Sequence, residues 1–210
     1  MLADDSSGTS ARYRRLEEPA VMDALRRVFR RMNRSMVLMW RLGFRRIAGV
    51  WPGGFGRLMV IEHTGRSTGS SYRTPVNYTV DSGDLYCVAA FGQRTDWYRN
   101  VLADRTVAVW LPDGRWEASA EEASDDPRRL DLVRGVLIDS GFAAPLFGLS
   151  PRTMNDEQLA GATEGYRLVR FHPDRKQPSA DGPDDLVWMW LPVAGAVLAG
   201  CLAARRRRQG

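Results

Sequence analysis

The 210-residue sequence predicts a mainly β domain with flanking helices, its strands forming a small antiparallel barrel. Short apolar runs rich in Val, Leu, Tyr and Thr fill the middle of the chain. Two of the connections between them, Asp81-Ser-Gly-Asp84 and Pro112-Asp-Gly114, are tight hairpin signals. Helical patterns are too few to alternate with the strands, as a parallel βαβ sheet would require.

In chain order, residues 1–18 are polar and read as a disordered lead, without the apolar stretch of a secretory signal. Residues 19–57 read as a basic amphipathic helix and loop. Val21, Leu25, Val28, Met32, Met36 and Met39 recur at three- and four-residue spacing within a pattern that runs to Ile47. Arg26, Arg27, Arg30, Arg31 and Arg34 fall largely on its other faces. Such a helix packs one stripe on a core or lies on an anionic lipid surface, and the pattern admits both. Trp51-Pro-Gly-Gly-Phe-Gly56 breaks it.

The barrel body is expected over 58–172. Leu58–His63 and Thr74–Val80 read as strands on either side of a loop, and Asp81–Asp84 turns the chain into Leu85–Phe91. A short helix near Asp96 carries Trp97, Val101 and Leu102. Thr106–Leu111 and Arg115–Ala120 flank the second hairpin turn. Ser124 is placed to cap a helix with Asp125, Asp126 and Pro127 in its first turn. Leu130, Val133, Leu137 and Ile138 form its stripe, and Gly141 ends it. Phe142–Gly161 reads as irregular with one short helix, and Tyr166–Phe171 as the last strand.

Residues 173–185 read as a polar linker, 186–204 as a membrane anchor and 205–210 as a basic tail. The anchor has no charge, carries Trp188 and Trp190 near one end, and precedes Arg205–Arg208. At about 1.5 Å per residue its length just spans a hydrocarbon core of about 30 Å. The expectation is a cell-membrane protein with a single C-terminal anchor and a cytoplasmic body.

The net charge of +5 divides into +7 over 1–57, −4 over 58–172 and +2 over 173–210. The folded body is therefore mildly acidic, which argues against a nucleic-acid partner. Cys87 and Cys201 are not expected to form a disulfide, and His63 and His172 are too few for a zinc site; no metal is expected.

Chemistry concentrates between the first two strands, in Glu62-His-Thr-Gly-Arg-Ser-Thr-Gly-Ser-Ser-Tyr-Arg-Thr-Pro75. Glycines let successive N–H groups turn toward one point, hydroxyls add donors, and Arg66 and Arg73 supply fixed positive charge. The loop suits an anionic group such as a phosphate or carboxylate. A Walker loop or dinucleotide fingerprint would run into a helix, whereas Pro75 and Val76–Val80 continue extended. The alternative is a plain strand connection that happens to carry arginines.

Four motifs then occur in order: Thr64-Gly-Arg-Ser-Thr-Gly69, Arg73-Thr-Pro75, Val88-Ala-Ala-Phe-Gly92 and Asp96-Trp-Tyr-Arg-Asn100. With Asn33-Arg34 and Leu42-Gly43 before them, the chain over roughly 32–172 resembles the deazaflavin (F420)-dependent nitroreductase family, also described as F420-dependent quinone reductases. The resemblance implies a split β-barrel of the flavin-reductase type and the cofactor F420, which carries a phosphate and a glutamate tail. It implies that Thr64, Gly65, Arg66, Ser67, Thr68, Gly69 and Arg73 hold the phosphate and tail. Pro75, Ala89, Ala90 and Gly92 would border the deazaflavin ring, Thr74 and Phe91 would belong to the same cofactor site, and Trp97 and Asn100 would support the pocket. The chain departs from the family's usual pattern at Ser67, where a lysine is frequent, and at Ala90, where a serine is common.

The expected reaction is hydride transfer from reduced F420 to a quinone or nitro-type acceptor at the membrane. Tyr78 is a candidate proton donor, with a buried structural tyrosine as the alternative. Two other readings stand beside this one: an FMN-dependent split-barrel oxidoreductase, and a non-catalytic membrane-tethered F420-binding protein. The sequence leaves the oligomeric state open, a homodimer included.

Overall fold

The computed structural model describes residues 34–43, 56–141, 143–146, 148–177 and 184–189. Among them six strands close into an antiparallel barrel: β1 (Leu58–Thr64), β2 (Ser71–Asp81), β3 (Asp84–Ala89), β4 (Thr106–Leu111), β5 (Gly114–Glu122) and β6 (Arg167–Gln177). Their order around the wall is β1-β2-β3-β6-β5-β4. The helices are α1 (34–41), α2 (Asp96–Ala103), α3 (Arg129–Asp139), α4 (Ala143–Leu146) and α5 (Asp156–Ala162).

Alternation along the strands builds the core. Met59 and Ile61 of β1, Cys87 of β3, Val107 and Val109 of β4, and Val169 and Phe171 of β6 fill the barrel interior, joined by Tyr98 and Val101 of α2. The intervening residues face outward onto two separate coats. Tyr86 and Leu168 meet Val133, Val136 and Leu137 of α3 and Leu159 of α5. Val60 and Trp110 are covered by Trp40 of α1. Each large side chain buried in this way contributes about 1.5–3 kcal/mol.

Both hairpin signals are turns as expected: Asp81 pairs with Asp84, and Leu111 with Gly114. Ser82 and Gly83 adopt the positive φ that a two-residue hairpin turn requires. The chain beyond β3 swings through Gly92 into α2, which packs across one end of the barrel. That same end collects the close of β1, the start of β2, the close of β3 and the starts of β4 and β6, because every ladder is antiparallel. Near this rim the wall parts. β2 and β3 pair only from Tyr78↔Cys87 to Asp81↔Asp84, so the lip carrying Thr74 and Pro75 pairs with β1 alone, and Val88 and Ala89 pair with β6 alone.

Several expectations are corrected. β2 begins at Ser71 rather than Thr74, because Ser71, Tyr72 and Arg73 pair with Thr64, His63 and Glu62; the connecting loop is only 65–70. α1 ends at Arg41, short of Ile47, because Gly43 sits at φ +86° and its N–H reaches back to the Trp40 carbonyl. Its buried face carries Trp40, with Val37 packed beside it, while Met39, expected in the stripe, is 48% exposed. Ser124 does not cap α3: its Oγ accepts from the Leu168 N–H, and the helix starts later, at Arg129, while Gly141 does end it. The segment expected to be mostly irregular holds two helices, α5 opening on an Asn155–Gln158 capping box. β6 runs on to Gln177 past a bulge that accommodates Pro173.

No helix among the described residues is long and apolar enough to cross a membrane. The lead and most of the basic helix and loop before Gly56, together with residues 190–204 of the expected anchor and the basic tail, lie outside the described residues. Residues 186–189 form a turn and a short 3-10 helix that follows back-pairing onto α1, where Asp184 N–H donates to Trp40 O and Leu186 N–H to Arg41 O.

Candidate functional site: the rim at the β1–β2 loop

The loop closes as a compact turn. Gly65 N–H donates to Ser70 O at 2.8 Å, and Gly69 N–H donates back to Gly65 O at 2.8 Å. Gly65 lies under the Tyr72 ring, where an added Cβ would come within 2.5 Å of Cε2, so a side chain would displace that ring and the Thr68 hydroxyl beside it. Thr68 Oγ1 bonds the Tyr72 hydroxyl at 3.2 Å and accepts from Ser70 N–H. Residues 66–70 are exposed, Arg66 and the hydroxyl-bearing Ser67, Thr68 and Ser70 among them, and Thr64 is half-buried.

Arg66 is tied to α2. Its Nη1 donates to Asn100 Oδ1 at 2.8 Å, its backbone N–H donates to the same oxygen at 3.3 Å, and its Nη2 lies 3.4 Å from Asp96 Oδ1. Asn100 is buried, and its Nδ2 faces His63 Nδ1 at 3.4 Å. His63 Nε2 in turn meets Thr74 Oγ1 at 3.1 Å, and the ring stacks on Tyr72. Loop, β1, β2 and α2 therefore share one continuous polar network.

Arg73 is not part of it. One residue out of phase with Tyr72, it lies on the opposite face of the β1–β2 ribbon. There its Nε donates to Glu62 Oε2 at 3.0 Å, and its guanidinium sits 4.6 Å from the centre of the Trp110 ring. Arg115 donates to the other Glu62 oxygen at 2.9 Å. Burial alone would raise the Glu62 pKa, but the hydrogen bonds and charges of Arg115 and Arg73 outweigh it and hold the carboxyl below its ordinary range. An open polar cleft of about 480 Å³ lies on this outer face, lined by Glu62, Thr64, Thr106, Arg115, Glu117 and Ser119 among others; of the expected site residues only Thr64 reaches it.

The remaining expected residues occupy the parting of the wall and the turn beyond it. Thr74 and Pro75 stand on the β2 lip. Ala89 ends β3 with its side chain buried in the barrel core, so only its backbone can border a ligand. Ala90 is exposed and Phe91 half-buried. Gly92 is buried at φ +56°, so close to Gly165 that an added Cβ would lie 2.5 Å from its carbonyl oxygen. Trp97 packs its edge against Tyr98 beside the core. Tyr78 is not brought to this rim: it points into the barrel toward the far end, where Arg57, Asp113 and Asp139 are its charged neighbours, and burial raises its pKa.

The donor set suits an anionic cofactor. Arg66, Ser67, Thr68 and Ser70 are all exposed on the loop, and Thr95 Oγ1 at the head of α2 is a buried hydroxyl with no partner among the described residues. Thr64, Ser67, Thr68 and Arg66 would hold a phosphate; the Pro75 and Ala90 lips would flank a planar ring. Sequence reasoning missed His63, Thr95 and Asp96 as members of this rim. For His63 a signal existed, since it continues the inward alternation of Met59 and Ile61.

Residues 32–137, half of the chain, match the family described as F420H(2)-dependent quinone reductase. The chain belongs to that family. It is an F420-dependent oxidoreductase, and F420 is its cofactor. Among solved structures, a conserved hypothetical protein from Mycobacterium tuberculosis is 18% identical, with 57% of this chain and 74% of that one covered and a TM-score of 0.41. An F420-H2 dependent reductase (FDR-A) is 19% identical over 55% of this chain and 92% of that one, with a TM-score of 0.38. The heme storage protein HutZ of Vibrio cholerae is 11% identical, with 64% and 92% covered and a TM-score of 0.39. No curated protein matches significantly. These structural likenesses are distant, and the assignment of this F420-dependent oxidoreductase rests on the family match.

Proposed function

We propose that this oxidoreductase reduces a quinone or nitro-type acceptor at a membrane surface, with the phosphate of F420 held on the Arg66 side of the β1–β2 loop. The observation that carries the cofactor placement is the network fixing Arg66 to Asn100 and Asp96 beside the exposed hydroxyls of the loop. Arg73 is held by the half-buried Glu62 on the other face of the ribbon, away from the loop, whereas the Asp96 partner of Arg66 is exposed, so the phosphate falls to Arg66. The parting of the wall between β2 and β3 is the split of a split β-barrel, and its lips would border the deazaflavin ring.

When bound, reduced F420 supplies a hydride. The protein's share is positioning. Arg66 and the loop donors hold the anionic group, and the Gly92 turn lets the backbone come close. Trp97 and Phe91 exclude water from the ring side. Tyr78, buried toward the far end of the barrel, is not the acceptor's proton donor.

Two features support action at a membrane. The exposed apolar side chains Leu38, Met39, Val187 and Met189 lie on α1 and residues 184–189. Arg41 Nη2 joins these two segments through Asp185 Oδ2 at 2.6 Å. Beyond Met189 the sequence continues apolar to Ala204 and then carries four arginines, Arg205–Arg208, so these side chains adjoin in sequence a stretch suited to lipid.

The test is titration of the full-length chain with F420 and with FMN, followed by oxidation of reduced F420 with a lipid-soluble quinone and with a nitroaromatic. The proposal expects selective F420 binding and turnover with either acceptor, faster when the protein is bound to vesicles. Binding without oxidation of either acceptor would overturn it.

A further inference from the structure

Donor and acceptor roles along the rim network are fixed by one residue that can only donate. Arg66 directs its backbone N–H and its Nη1 at the same atom, Asn100 Oδ1. The Asn100 amide is thereby oriented, leaving its NH2 group toward His63 Nδ1 at 3.4 Å. An amide NH2 only donates, so Nδ1 must accept, and the ring proton lies on Nε2, which meets Thr74 Oγ1 at 3.1 Å.

We propose that His63, as the neutral Nε2–H imidazole, is a positioning residue that aims Asn100 and through it holds the Arg66 guanidinium ready for the anionic group of F420. The inference rests on the functional reading above and deepens it, because it makes cofactor binding depend on the protonation state of a buried ring that touches no cofactor.

Protonating His63 would set an N–H on Nδ1 against the amide NH2. Turning the amide to relieve that contact would set NH2 against both Arg66 donors, so neither orientation of the Asn100 amide satisfies both Arg66 and a charged His63 ring. The ring is 4% exposed, which disfavours its charged form. That burial lowers the pKa, opposed in part by a hydrogen bond with the Thr64 backbone. Around the ring, β2 contributes Tyr72 and Thr74, and α2 contributes Asn100 with Asp96 beyond it. Across the outer cleft that His63 also lines stand Glu62, Arg115, Glu117 and Asp174. Among the described residues, none of these carboxylates bonds the imidazole that it would have to stabilise as a cation.

The test uses the full-length protein and two readouts. With only two histidines in the chain, 15N spectra of histidine-labelled free protein report the tautomer and titration of His63 directly. The expected state is Nε2–H, staying neutral below about pH 6.5. F420 affinity is then measured by fluorescence at about pH 8 and on the acid side of the His63 midpoint found in those spectra, for wild type, His63→Phe, His63→Asn and Arg66→Ala. His63→Phe, which keeps a ring but loses the acceptor, should weaken binding about tenfold or more, and His63→Asn, which restores an acceptor near Nδ1, should stay within about threefold of wild type. Wild type should lose more affinity than His63→Asn, which cannot titrate, as the pH falls through the His63 midpoint that the 15N spectra give. An Nδ1–H tautomer, a charged ring at neutral pH, or a His63→Phe variant that binds like wild type while Arg66→Ala does not, would each overturn the inference alone. Unchanged affinity in Arg66→Ala would instead defeat the functional reading and this inference with it.

Discussion

Glu62→Gln isolates the electrostatics of the outer face of the β1–β2 ribbon. Glu62 receives Arg73 Nε at 3.0 Å and Arg115 Nη2 at 2.9 Å, with its own side chain 17% exposed. Glutamine has nearly the same shape but removes the charge that both guanidiniums face. Charge-assisted hydrogen bonds contribute about 1.5–3 kcal/mol and neutral ones about 0.5–1.5, so two bonds weakened together predict a loss of about 1–3 kcal/mol. The sign with pH follows from the lowered Glu62 pKa. This contribution is fully present above the unfolded carboxyl's pKa of about 4.3 and disappears as pH falls through the lower folded value. Urea unfolding of both proteins at neutral pH and in acid measures it. The stability gap should be open at neutral pH and narrow in acid. A variant as stable as wild type at neutral pH, or a gap that does not narrow, would refute the reasoning.

Two further outcomes are expected. Gly92→Ala places a side chain at φ +56° and 2.5 Å from the Gly165 carbonyl oxygen, which urea unfolding should register as more than about 2 kcal/mol. A loss below about 0.5 kcal/mol would show that this turn is not tightly held. Tyr78→Phe should leave oxidation of reduced F420 nearly unchanged, whereas loss of a general acid would slow it by about 10²–10⁴-fold in steady-state assays.

The barrel was legible because its hairpins carry local signals. Asp81–Asp84 and Pro112–Gly114 set their turns with the residues in the turns themselves. The length of β2 was not legible, since Ser71–Arg73 look like loop until a partner strand supplies the Glu62–Arg73 pair and the His63–Tyr72 stack. The same tertiary pairing separates the two arginines onto opposite faces, which a list of loop residues does not reveal. Ser124 shows the converse: a good capping residue drawn away by the backbone of β6. α1 ends at Arg41, before Gly43, a stop visible in the sequence but outweighed by the helical pattern continuing past it. The rim residues Thr95 and Asp96 gain meaning only where α2 meets the loop, a contact made by residues 30 apart in the chain.

The central claim is that Arg66 and its loop grip the anionic part of F420. It is tested most directly by comparing the affinities of F420 and of the same deazaflavin without phosphate and tail, in wild type and in Arg66→Ala. The account predicts that wild type prefers intact F420 by at least about tenfold and that Arg66→Ala erases most of that preference. An undiminished preference in the variant would contradict it.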